Sequence, residues 1–132
     1  MKHNEILIKV NAWVDEKVAS LVESINCFED LLTLASCEGD DENPAYVYFT
    51  SVNGPFKLFD RVHMLSIAAG QAIKADDEFR FQIEWTAGSE EPMATLYVRR
   101  KFLKLLTQVI KGVAVADRFT IEANLPIMGR AD

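Results

Sequence analysis

The chain has 132 residues, 14 Lys+Arg against 20 Asp+Glu, a net charge of −6 and 49% hydrophobic residues. That size and balance specify a single domain over residues 1–132, able to bury a core without covalent staples. They exclude collagen-like, disordered and coiled-coil chains. The acidic balance also argues against indiscriminate binding to nucleic acid or to an anionic membrane, because like charges repel.

In chain order, residues 5–10 read as a first strand. Val14, Val18, Leu21, Val22 and Ile25 then recur at helical spacing, with Asp15 or Asn11 placed to cap the exposed N–H groups. Residues 31–35 form a short apolar run expected to be a buried strand. A polar loop follows over residues 36–44, and residues 46–49, rich in aromatic and β-branched side chains, are the next strand. Asn53-Gly54-Pro55 is a turn with a helix start, since proline suits the first helical turn. That helix runs to about residue 73, with Leu58, Val62, Leu65, Ala69 and Ala72 on one face.

Phe79, Phe81, Ile83 and Trp85 alternate with Arg80, Gln82 and Glu84, the mark of a half-buried strand. Residues 87–92 join it to a strand over residues 94–98, so a hairpin is expected. A third helix covers residues 101–115, and residues 119–123 read as a last short strand, with a frayed tail after Pro126. The order β-α-β-β-α-β-β-α implies an α+β two-layer sandwich, with a mostly antiparallel sheet and helices on one face. Phe28, Phe56, Phe59 and Trp85 are expected in the core.

Cys27 and Cys37 are too few for a disulfide scaffold and read as reduced thiols of a cytoplasmic protein. The apolar stretch near the N-terminus is too short for a signal peptide, and no apolar run reaches the length of a membrane span. Cys-x-x-Cys and His-x₃-His spacings do not occur, nor does a Gly-rich phosphate loop, so the residues name no metal and no cofactor. His63 sits beside the apolar stripe of the second helix. It is more simply a hydrogen-bonded helix residue than a base or ligand.

Two surfaces carry candidate chemistry. Ser36, Cys37, Glu38 and Gly39 follow a buried strand, where loops on rigid scaffolds build sites. Gly39 allows a left-handed backbone or a close approach. Glu38, Asp40, Asp41 and Glu42 keep the Cys37 thiol protonated unless a distant cation folds over it. The second surface is the basic run Arg99, Arg100, Lys101, Lys104 and Lys111. Helical spacing puts Lys101, Lys104, Gln108 and Lys111 on one side. This stripe suits a solvated face, the acidic half of a second copy, or phosphates. It lacks the interleaved aromatics of single-strand binders, and nucleic acid is the least favoured partner.

Residues 14–39 resemble the start of the tRNA wybutosine-synthesising methyltransferase family. Asp15, Ile25, Asn26, Thr33, Ser36, Cys37 and Gly39 match a helix ending in Ile-Asn followed by Thr-x-Ser-Ser-Cys-Ser-Gly-Arg. Ala35, Glu38 and Asp40 depart from that motif, and Asp40 reverses the charge of the family's Arg. The resemblance implies a related α+β scaffold more than a shared reaction. Two functions are therefore expected. The first is a ligand- or protein-binding module, expected as a homodimer or larger homo-oligomer, using the Ser36–Gly39 loop with Asp15 and His63 as further candidates. The second is an S-adenosylmethionine-dependent enzyme acting on RNA or a nucleoside. The acidity around the loop favours the first.

Overall fold

The computed structural model describes residues 14–74, 77–85 and 91–130, with side chains described as far as residue 119. A 3-10 turn, Glu16–Val18, leads into α1 (Ala19–Asn26). β1 (Leu31–Cys37), β2 (Ala45–Ser51), α2 (Pro55–Ala72), β3 (Phe79–Glu84) and β4 (Met93–Val98) follow. A second 3-10 turn, Arg100–Phe102, opens α3 (Leu103–Arg130). The four strands lie in the order β1-β2-β4-β3, and every neighbouring pair is antiparallel. The α2 crossover thus carries the chain from β2 to β3, and the β3–β4 hairpin returns β4 between them.

Period-two burial positions one face of this sheet against the helices. Ala45, Val47 and Phe49 of β2, with Ala94, Leu96 and Val98 of β4, are fully buried. Their register sets large against small: Phe49 faces Ala94, and Val98 faces Ala45. Leu21, Val22 and Ile25 of α1, Leu58, Val62, Leu65 and Ala69 of α2, and Leu106, Ile110 and Ala114 of α3 close the core from the other side. α1 packs on β1, α2 on β2 and β3, and both helices pack on α3. The result is the two-layer α+β sandwich expected from the element order.

A buried charge cluster pins the layers together. The Arg61 guanidinium of α2 donates to Asp30 through Nε (3.0 Å) and Nη2 (2.8 Å), and its Nη1 lies 3.0 Å from Asp117 Oδ1 of α3. Arg61 also stacks over the Phe28 ring at 4.6 Å, and Ser51 donates to Asp30. Burial alone would pull the guanidinium down. The hydrogen bonds and charges of Asp30 and Asp117 outweigh it and hold the group above its ordinary value. The sequence signal was available: Arg61 falls three residues after Leu58, on the apolar stripe.

Several expectations are corrected. The strand expected at 119–123 is helix, because α3 continues to Arg130. A five-residue alternation also fits a helical period, α3 is already docked from Leu106 to Ala114, and Ala116 and Arg118 are strong helix formers. Asp15 makes no side-chain cap to the turn it precedes. Ser36 and Cys37 belong to β1, so the loop proper starts at Glu38. Phe28 is core, whereas Phe56 is 79% exposed and Trp85 is 52% exposed. Those two join Phe59 in an edge-to-face surface cluster. The strand expected at 5–10 lies outside the described residues.

Candidate functional site

The turn after β1 is built from the residues that carry the family resemblance. Asn26, at the end of α1, accepts the Thr33 N–H on Oδ1 (3.2 Å) and donates from Nδ2 to Thr33 Oγ1 (2.9 Å). This ties the helix to the strand. The Asp15 carboxylate, instead of capping its own turn, accepts the Glu38 N–H at 3.1 Å. Gly39 takes φ +68°, and a Cβ there would come within 2.6 Å of the backbone of Asn43, Pro44 and Ala45. Asp40 then accepts the N–H groups of Glu42 and Asn43, each at 2.8 Å. The backbone N–H groups of Asn43 and Glu42, with the Asn43 amide, hold the Asp40 carboxyl below the usual carboxylate range.

The basic run reaches this turn from the far end of the chain. Arg100 donates from Nε to the Glu38 carbonyl (3.2 Å), and its Nη2 pairs with Glu38 Oε2 (3.1 Å). Arg99 donates from Nη1 to the Glu42 carbonyl at 2.9 Å. Arg99 and Arg100 of the basic run thus meet the loop, whereas Lys104 and Lys111 lie farther along α3. Two arginines 57 and 62 residues further along the chain than the groups they bond bring positive charge onto the turn. The cation that folds over the loop bonds Glu38, and Cys37 stands on the other side of the strand.

Cys37 begins a row on the sheet face away from the helices. The register sets Cys37 opposite Tyr46, Tyr46 opposite Tyr97, and Tyr97 opposite Arg80, across all four strands. Directly opposed residues share a face. Tyr46 stacks on Tyr48 at 5.1 Å and meets Tyr97 at 6.2 Å, and the Arg80 guanidinium lies 4.5 Å above the Tyr97 ring. All three tyrosines of the chain are in this patch. Burial, then the charges of Cys37, Tyr48 and Tyr97, push the Tyr46 phenol above its ordinary value.

Three depressions surround the junction. One of about 560 Å³ lies between Pro44, Asp77, Glu78, Arg80, Tyr97 and Arg99. A second, of about 320 Å³, is walled by Asp40, Asp41, Glu78, Arg99, Arg100 and Lys101. These two share Glu78 and Arg99. Glu78 Oε1 lies 3.4 Å from Lys101 Nζ, whereas Glu78 Oε2 is buried and has no hydrogen-bond partner among the described residues. The third, of about 660 Å³, runs along α3 past Lys17, Lys104 and Lys111.

His63 is exposed on α2, between buried Val62 and Leu65, and joins no hydrogen bond of the site among the described residues. Both thiols are free; Cys27 is exposed and Cys37 half-buried. Among the described residues no three His, Cys, Asp or Glu side chains converge as metal ligands, and no helix is long and apolar enough to cross a membrane. Glu78 is the residue that sequence reasoning missed. It precedes a strand on the polar side, and only the fold brings it against Arg99. Comparison with models of known families, with curated proteins and with solved structures finds no match to the chain.

Proposed function

We propose that this protein is a binding module for a small zwitterionic ligand, seated in the paired cavities that share Glu78 and Arg99, against the Gly39 turn. The observation that carries this reading is Glu78 Oε2. A buried carboxylate oxygen without a donor costs about 1–3 kcal/mol, and a ligand ammonium or N–H group recovers this once the Glu78 side chain, whose other oxygen already pairs with Lys101, turns Oε2 toward the cavity. Arg99 and Arg80 present guanidinium groups from the same walls, suited to a carboxylate or another planar anion. An amino-carboxylate satisfies both ends. Small-ligand sites commonly span roughly 300–1,000 Å³, and both cavities fall in that range. Thermal shift and calorimetry with a panel of free amino acids test it. At least one should raise the melting temperature, and Glu78→Gln or Arg99→Met should each weaken its binding about tenfold or more. No stabilisation by any member at 10 mM, roughly a hundredfold above a 0.1 mM dissociation constant, overturns the reading.

A second reading keeps the enzyme, an S-adenosylmethionine-dependent methyltransferase acting on RNA or a nucleoside. It is favoured by Asp15, Asn26, Thr33 and Gly39, which carry the family resemblance and together hold the turn. The methyl donor itself ends in an amino-carboxylate, so the same screen separates the two. A shift with S-adenosylmethionine and with no simple amino acid selects the enzyme, and the reverse selects the binding module.

A further inference from the structure

The largest of the three depressions has a different chemistry from the paired cavities. It lies between the start of the first helical segment and α3, and Lys17, Arg100, Lys101, Lys104 and Lys111 line it with no carboxylate among the lining residues. Arg100 and Lys101 are anchored at its rim by Glu38 and Glu78. Lys17, Lys104 and Lys111 have no ion-pair partner among the described residues and are exposed. The like charges of Lys17, Lys104 and Lys111 around one groove repel each other, and an anion that enters relieves that repulsion.

We infer that this groove binds a compact polyphosphorylated small molecule. Three features select that class over a larger polyanion. First, the volume of about 660 Å³ matches a small-molecule site. Second, Lys104 and Lys111 are seven residues apart, or about 10 Å along the helix, a span that several phosphates on one small scaffold can cover. Third, the polar lining consists of the Ser20 and Thr107 hydroxyls and the Gln108 amide, with no aromatic ring on which a nucleobase could stack. The chain's first 60 residues also hold 4 basic and 11 acidic side chains, a balance that repels a long nucleic acid.

Isothermal titration with inositol hexakisphosphate as the probe tests the inference, with tripolyphosphate as a second. One saturable site is expected, weakening about tenfold between 50 and 200 mM NaCl as the charges are screened. Lys104→Gln with Lys111→Gln should weaken it at least tenfold while leaving the melting temperature of the free protein unchanged, since both side chains are exposed. Arg99→Met should leave it intact, which separates this site from the zwitterion site. Absence of saturable binding overturns the inference, as does binding that the double variant leaves untouched. Two further results overturn it by assigning the groove elsewhere. One is a single-stranded RNA or polyglutamate chain binding tenfold more tightly than the probe. The other is a dimer by light scattering that the double variant dissolves, which would place the acidic turn of a second copy there.

Discussion

Gly39 is the residue on which the site's shape depends most directly. Its φ of +68° is a conformation that costs an L side chain about 1–2 kcal/mol, and a Cβ would press within 2.6 Å of three backbone atoms. Backbone cannot swing aside as the end of a flexible side chain can. Gly54, with φ +101°, is also strained for an L side chain, but a Cβ there meets nothing within 4 Å, so it lacks the added crowding of Gly39. Gly39→Ala should therefore lower the urea unfolding free energy by more than about 2 kcal/mol, and Gly54→Ala by less. Equal losses at the two positions would show that the crowding around Gly39 is relieved at no cost. Asp40 argues in the same direction. Its carboxylate accepts the Glu42 and Asn43 N–H groups, so the negative charge at this position has a structural role in the turn as well as a place in the cavity wall.

At the scale of elements, the tyrosine face of the sheet makes a prediction about alkaline pH. Burial first, and then the negative charges of Cys37, Tyr48 and Tyr97, raise the Tyr46 phenol above its ordinary value of 10.0. The folded state thus favours the neutral phenol. Its contribution to stability is whole below pH 10.0, where the unfolded chain is still protonated. It declines as pH rises from there through the higher folded value. Absorbance titration should show three tyrosines in the native chain, the last of them absent from Tyr46→Phe, whose alkaline loss of stability should also be smaller. A variant that still shows the same last-titrating group would assign the shift to Tyr48 or Tyr97.

How much of this was legible in the sequence also divides by element. α1, α2 and β3 announce themselves, because Val18 to Ile25, Leu58 to Ala69 and Phe79 to Ile83 keep one period throughout. The end of α3 does not, since a short alternating run fits strand and helix alike. The bulge at Leu34 is equally silent. It sits between the Thr33–Phe49 and Ala35–Tyr48 pairings, and only after it do Ala35 and Cys37 turn to the tyrosine face. The candidate loop and the basic run were both found, each on local composition. Their union through Arg100 and Glu38, 62 residues apart, is a property of the topology and leaves no local trace.

For the whole molecule, the uneven charge acquires a physical meaning. Within the described residues, the acidic part before residue 61 and the more basic remainder fold onto each other, with Arg61–Asp30, Arg100–Glu38 and Arg118–Glu29 crossing between them. These pairs are not equal. Arg118 and Glu29 are 64% and 79% exposed, and such pairs contribute about 0–1 kcal/mol, screened further by salt. Arg61 and Asp30 are 6% and 4% exposed, beyond the reach of mobile ions. Removing one partner of a buried pair strands the other charge and costs about 3–5 kcal/mol. Salt also relieves the self-repulsion of a chain with net charge −6, which opposes its weakening of the surface pairs. Raising NaCl from 0.05 to 0.5 M should then change the urea unfolding free energy by less than about 1 kcal/mol. Asp30→Ala leaves Arg61 only the partly exposed Asp117 and should cost about 3 kcal/mol, the lower end of that range, at both salt concentrations. If that cost shrinks at high salt, ions reach the cluster. The clamp joining β1, α2 and α3 would then be a surface feature, and the hydrophobic layer between sheet and helices would hold the fold without it.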